Sequence, residues 1–162
     1  MSYNKLILIL LFTFNFLVSK SQDNQHIKCD SIIEFAKQQL GIKYKYACAN
    51  PKQGFDCSGF VNYVFNHYHI KVPRTSKDFA KYGFTIPIDS CKPGDVIVFK
   101  GTNPNSKIPG HVGIITKNNE GELLFIHSSS DKRHSGIKIS DFNAYENYKK
   151  RFIKIVRIPE LG

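Results

Sequence analysis

Apolar residues three and four positions apart mark out helices in the first half of the chain. Shorter apolar runs mark out strands in the second half. Ile32, Ile33, Ala36 and Leu40 make one such helical face, entered by a capping box of Ser31 with Glu34 and stopped by Gly41. Cys57, Phe60, Val61, Val64, Phe65 and Tyr68 make a second, predicting a helix from Cys57 to about His69 with Asp56 as its N-cap. Between them, Tyr44-Lys45-Tyr46 alternates like a short extended piece, and Ala47 to Gly54 reads as a loop broken by Pro51 and Gly54. Pro73 ends a link, and Thr75 or Ser76 caps a third short helix running to about Tyr82. Lys92-Pro93-Gly94-Asp95 is a turn into Val96-Ile97-Val98-Phe99, a strand apolar at every position and so expected to be buried on both faces. Gly101 to Gly110 is a polar, Pro- and Gly-containing surface loop that opens into His111. His111–Thr116, Leu123–Ser128, Gly136–Ile139 and Phe152–Ile158 read as further strands, with Ser140 capping a helical or irregular stretch through Tyr148. Helices first and an antiparallel sheet of about five strands afterwards make the class α+β.

The first residues follow a different pattern. Lys5 precedes an apolar run from Leu6 to Val18, interrupted only by Thr13 and Asn15, and Ser19-Lys20-Ser21 follows. The run is short of the ~20 residues that span a bilayer, so it reads as an export signal over residues 1–21, cleaved after Ser21. An uncleaved membrane anchor is the alternative. Residues 22–30 read as a flexible segment and 31–162 as one domain. The chain carries 23 Lys+Arg against 13 Asp+Glu. Removing Lys5 and Lys20 with the leader leaves 21 against 13, a net +8. The lysines are scattered and no nucleic-acid motif accompanies them. With an export signal, an anionic cell-wall polymer is the natural partner, and charge kept only for solubility is the other reading. The expected location is the periplasm, the cell envelope or the exterior, with no stable membrane insertion after cleavage.

The cysteines are Cys29, Cys48, Cys57 and Cys91. Cys57 opens a helix, where the macrodipole lowers a thiol pKa and raises the thiolate fraction. If Cys57 stays reduced, at most one bridge forms among the other three, and Cys29–Cys91 is the pairing singled out. Cys91 precedes a strand and reads as buried and apolar. No Cys-x-x-Cys pair occurs, and His67 and His69 are two apart at a helix end, which disfavours zinc. His134 stands in a polar run of Asp131, Lys132 and Arg133 and reads as solvated, and His26 lies in the N-terminal flexible segment. Arg74 reads as structural, pairing with an acid or a backbone carbonyl.

Phe55-Asp56-Cys57-Ser58-Gly59-Phe60-Val61 resembles the nucleophile motif of the NlpC-type (NlpC/p60) cell-wall cysteine peptidases. Val72–Ser76, Lys92–Phe99, Gly110–Ile115 and Phe125–Ser128 fit that family's pattern in order, and Gly41–Tyr46 matches its tyrosine segment. The resemblance covers about Ser31 to Arg157 and implies a minimal papain-like fold. It implies that Cys57 is the nucleophile, His111 the base and then acid, and His127 the residue that orients His111. It also implies that Tyr44 lies beside the nucleophile as an oxyanion donor and that Asp56 and Ser58 touch substrate, although capping and first-turn hydrogen bonds suffice to explain those two. The expected activity is hydrolysis of a peptidoglycan stem peptide at the bond between D-γ-glutamyl and a diamino acid, by a monomer without cofactor or metal. A related thiol amidase or acyltransferase, and a non-catalytic wall-binding protein, are the alternatives. The family usually has Gly-Gly where this chain has Ala47-Cys48.

The roles require that His111 and His127 share one face of the sheet. Side chains alternate along a strand, so sixteen residues of separation demand an odd loop between them. Asn119-Glu120-Gly121 suits a three-residue hairpin with Gly121 left-handed, which would set Gly113 opposite His127.

Overall fold

The computed structural model describes residues 28–161, apart from 104, 105, 120 and 132. The leader assigned to residues 1–21, and residues 22–27, lie outside the described residues. Helix α1 covers 28–37, so the chain is already helical before Ser31, and the capping box expected there is not the helix start. The Ser31 carbonyl instead accepts the Tyr68 hydroxyl at 2.7 Å. Ile32, Ile33 and Ala36 are buried as expected, but Leu40, past the helix end, is exposed.

The stretch predicted as a loop contains a small hairpin, β1 (Ala49–Asn50) with β2 (Gly54–Phe55). The turn leading into β1 passes through Ala47 at φ 55, a left-handed position that glycine adopts more easily. Helices α2 (Cys57–His67) and α3 (Ser76–Phe79) follow, the second ending short of the expected Tyr82. Then come β3 (Phe84–Ile86), β4 (Val96–Lys100), β5 (Pro109–Asn119), β6 (Glu122–Ser129), β7 (Gly136–Asp141), α4 (Glu146–Arg151) and β8 (Phe152–Arg157). Strands β3 to β8 form one antiparallel sheet in the order β3-β8-β4-β5-β6-β7, six strands where about five were expected. The additional member, β3, is a largely exposed edge strand, which leaves little apolar signal in the sequence. Ser140 lies inside β7 and does not cap a helix.

The central strand β4 separates two cores by its own alternation. Val96 and Val98 join α2, Phe79, Val112 and Ile114 on one face. Ile97 and Phe99 join Cys91, Ile115, Phe125, Phe142 and Ile155 on the other. Burying each of these side chains is worth about 1.5–3 kcal/mol, so the sheet is held firmly from both sides. The Asp95 carboxylate, in the turn before β4, takes Arg157 of β8 at 2.8 Å on each oxygen. Cys29 and Cys91 both feel that ion pair, yet all four cysteines are free thiols, so the bridge singled out above is not formed.

Candidate active site

Asp56 adopts the extended N-cap conformation, and its Oδ1 accepts from the Gly59 amide at 2.6 Å. Arg74 holds the same carboxylate with two parallel bonds of 3.0 and 2.7 Å, the bidentate geometry that guanidinium favours. Ser58 Oγ donates to Asp56 Oδ1 at 3.3 Å and accepts from Arg74 at 3.3 Å. Arg74 is therefore structural, as its sequence context indicated. Asp56 and Ser58 form the frame under Cys57, with their polar atoms already engaged. Gly59 is dictated by space: a Cβ there would collide with the Cys48 carbonyl.

This frame fixes Cys57, 8% exposed, at the first turn of α2. Its Sγ lies 3.9 Å from the Gly110 carbonyl, and the Val112 amide points at it, so the thiol rests on the backbone either side of His111. Burial pushes the thiol above 9.0, and the Asp56 carboxylate adds to that push. The amides of Val112, Ser58 and Cys57 itself oppose it. The expectation of a lowered pKa at the helix start is therefore corrected: desolvation outweighs the aligned amides.

His111 sits on β5 opposite Phe99 of β4. Its Nε2 is 2.8 Å from Nδ1 of His127 on β6, with the two rings at 89°. The shared face arises differently from the sequence expectation. Asn119 pairs with Glu122, so the hairpin tip has two residues, with Gly121 left-handed at φ 81. An unbroken ladder from that tip would bring His127 opposite Ile114 and leave His111 on the wrong face. The ladder shifts between Ile115 and Lys117, where Thr116 is the extra residue of a β-bulge, and from there Ile114 pairs with Ile126. Gly113 thus falls opposite His127, and a Cβ on it would stand 3.1 Å from the His127 Cβ. The odd residue needed in the hairpin is in the strand and not in the tip.

His127 is 1% exposed and Nε2, its second nitrogen, lies 2.9 Å from Ser140 Oγ. The Tyr148 hydroxyl donates to Ser140 Oγ at 3.2 Å and lies 3.4 Å from the same imidazole nitrogen. Phe125 and Tyr148 wall the ring. Burial holds His111 far down, at about 3, helped by the charges of Arg151 and Lys138. Burial, then His111, Lys138 and Arg151, hold His127 well below 6.5. Dry surroundings oppose a lone charge on either thiol or imidazole, whereas a proton passed between them leaves the pair neutral as a unit.

Tyr44 bridges to Phe55, and the Lys45 amide donates to the Phe55 carbonyl at 3.1 Å, which places the tyrosine where it interacts with Cys57. Burial raises its hydroxyl pKa, and charge on Cys57 is the next contributor. The Ser128 hydroxyl donates to that same Phe55 carbonyl at 2.7 Å, tying the His127 strand to the stretch that enters Cys57. Sequence reasoning missed Arg151, whose guanidinium donates to the Lys100 carbonyl at 3.2 and 2.9 Å and acts electrostatically on Cys57, His111 and His127. In the sequence it ends a Lys-Lys-Arg run that looks like a solvated face. It missed Ser140 and Tyr148 as well. The other histidine of interest, His67, is stacked on Phe35 at 3.8 Å and serves packing. Among the described residues no group of three or more His, Cys, Asp or Glu is placed to hold a metal ion.

Such a site can attack a carbonyl carbon and protonate a leaving group. Residues 41–157 match the model of the NlpC/P60 family. The chain is 32% identical over 127 residues to the gamma-DL-glutamyl hydrolase of Bacillus subtilis, covering 78% of this chain and 29% of that protein. It is 29% identical to the murein DD-endopeptidase MepS/murein LD-carboxypeptidase of Escherichia coli K12, covering 73% of this chain and 56% of that one. A crystal structure from Staphylococcus aureus, of a protein similar to lipoprotein in the NLP/P60 family, superposes with a TM-score of 0.69 at 25% identity. That alignment covers 80% of this chain and 41% of the other. The chain thus spans well under two thirds of each of these relatives. The match over residues 41–157, the fold and the order of Cys57, His111 and His127 agree: the chain belongs to the NlpC/P60 family.

Proposed function

We propose that this protein is an exported cysteine endopeptidase that hydrolyses peptidoglycan stem peptides at the D-γ-glutamyl–diamino acid bond. The observation that carries the reading is the buried Cys57 thiol resting on the backbone around His111 while Nε2 of His111 meets His127 at 2.8 Å. The Cys57 proton moves to Nδ1 of His111 as sulfur attacks the carbonyl carbon. The Cys57 amide and the Tyr44 hydroxyl serve the oxyanion. Collapse breaks the C–N bond, and His111 returns its proton to the leaving amine. Water, deprotonated by the same imidazole, then cleaves the thioester and restores the thiol. Asp56 and Ser58, engaged with Arg74, support this machinery from beneath. The names of two relatives, a glutamyl hydrolase and a murein endopeptidase, support the substrate class. The basic mature chain suits an anionic wall.

Digestion of purified muropeptides, followed by mass spectrometry, tests the reading. The expected products are a fragment ending in glutamate and one beginning with a free diamino acid amine. Intact muropeptides with the wild-type protein overturn the peptidase reading, and cleavage at the amide joining sugar to peptide would replace it with an amidase.

A further inference from the structure

We propose that the hydroxyls of Ser140 and Tyr148 set the tautomer of His127, and through it the proton-accepting nitrogen of His111. The inference rests on the proposed roles of Cys57 and His111. Among the described residues, Ser140 Oγ and the Tyr148 hydroxyl are the polar side-chain groups at Nε2 of His127, at 2.9 and 3.4 Å. A hydroxyl oxygen has two lone pairs, so Ser140 can accept from His127 Nε2–H and from Tyr148 at once. With its proton on Nε2, His127 presents a bare Nδ1 to His111. His111 must then donate from Nε2, which leaves its Nδ1 lone pair free for the thiol proton. The opposite tautomer would direct a proton from His127 at Nε2 of His111, and His111 would carry its own on Nδ1, unable to act as base.

Two features confine His127 to this tautomer choice. It is 1% exposed, so water does not compete for Nε2. The charged and titratable groups facing it are His111 from β5, Lys138 from β7 opposite it in register, and Tyr148 and Arg151 from α4. Both cations oppose a second proton on the ring, so it stays neutral and the position of its single proton is the variable. Ser140 lies on β7 opposite Phe125 and is 7% exposed, a hydroxyl buried on the aromatic side of the sheet. Ser140 and Tyr148 are positioning residues: they act on substrate only through His127 and His111.

The first test needs neither substrate nor variant. Nitrogen-15 imidazole shifts of the wild-type protein should show His127 protonated at Nε2 and bare at Nδ1, and the reverse pattern overturns the proposal. Ser140→Ala should lower kcat about tenfold with KM unchanged, the loss of roughly one hydrogen bond. Ser140→Thr should restore most of it. Tyr148→Phe keeps the ring wall and should cost about threefold by the same reasoning. Alkylation of Cys57 by iodoacetamide at pH 7 should slow in parallel in each variant. A Ser140→Ala, Tyr148→Phe double variant that melts normally and retains wild-type turnover and alkylation also overturns it. Should the double variant fail to fold, the wild-type shifts and the Tyr148→Phe alkylation rate decide. Failure of the wild type to cleave muropeptides would sink the peptidase reading while leaving the nitrogen shifts and alkylation rates to judge the tautomer.

Discussion

Cys57 and Cys91 make an instructive pair. Both are buried, both are free, and burial is the main force raising both thiols, Cys91 to about 11. Cys91 sits among Ile97, Phe99, Ile115 and Leu123, and the carboxylate of Asp95 raises it further. Cys57 has three backbone amides aimed at its sulfur and an imidazole carried by the strand it rests on. Burial therefore does not separate a packing thiol from the proposed nucleophile. The difference lies in neighbours able to take a proton and stabilise charge at the moment of reaction.

The largest contrast is expected from removing each sulfur. Cys57→Ala should reduce muropeptide turnover by at least about a thousandfold while moving Tm by no more than ~3 °C, because the thiol contributes chemistry more than volume. Turnover near wild type in that variant would remove the distinction between the two cysteines. The next effect concerns the imidazole chain. His127→Ala should cost about a hundredfold or more in kcat, and His127→Asn about tenfold, since an Asn amide can still accept from His111 through its oxygen. Equal losses in both would show that proton uptake at His127, and not orientation, is what the site uses.

Acid should act on the Cys57 end through its histidines. Both have folded pKa values below 6.5, His111 at about 3, so the unfolded chain binds more protons between those limits. Their stabilising contribution is complete above pH 6.5 and is lost as pH falls from there towards 3. Thermal melts should show Tm dropping roughly 10 °C between pH 7 and pH 4, with a shallower slope in a His111→Asn, His127→Asn variant. An unchanged slope would mean that carboxylates elsewhere govern acid unfolding. The smallest effect belongs to Cys91→Ala. It should cost about 1–2 kcal/mol in urea unfolding, the price of a small cavity, with kcat unaltered.

Much of the site was legible because its residues obey local rules. The stripe from Cys57 to Tyr68 announces α2, and Asp56 announces its start; both depend on neighbours a few residues away. The four apolar residues from Val96 announce a strand buried on both faces, as the two cores confirm. Ser140, Tyr148 and Arg151 were not legible, since their partners lie 13, 21 and 51 residues away along the chain. A serine between Ile139 and Asp141 and a tyrosine just before a Lys-Lys-Arg run carry no local mark of such contacts. The raised pKa of Cys57 was hidden for a related reason: helix position is local, whereas desolvation is set by everything that folds over the sulfur. Thr116 shows no turn chemistry, so parity alone could demand an odd residue without saying where it sits.

That bulge has a consequence for length variation. The extra residue at Thr116 and an extra residue at the hairpin tip are interchangeable, since either keeps Gly113 opposite His127. Deleting Thr116 would let the ladder run unbroken from a two-residue tip and leave the imidazoles facing each other. Deleting a residue between His111 and Ile114 would turn His111 over by one pleat and separate it from His127. The hairpin is therefore divided at Thr116 into an outer part that tolerates insertions and deletions and an inner part, three or four residues of each strand, that tolerates none. Relatives with longer or shorter tips can keep the same chemistry, provided the gain or loss is absorbed before Ile115.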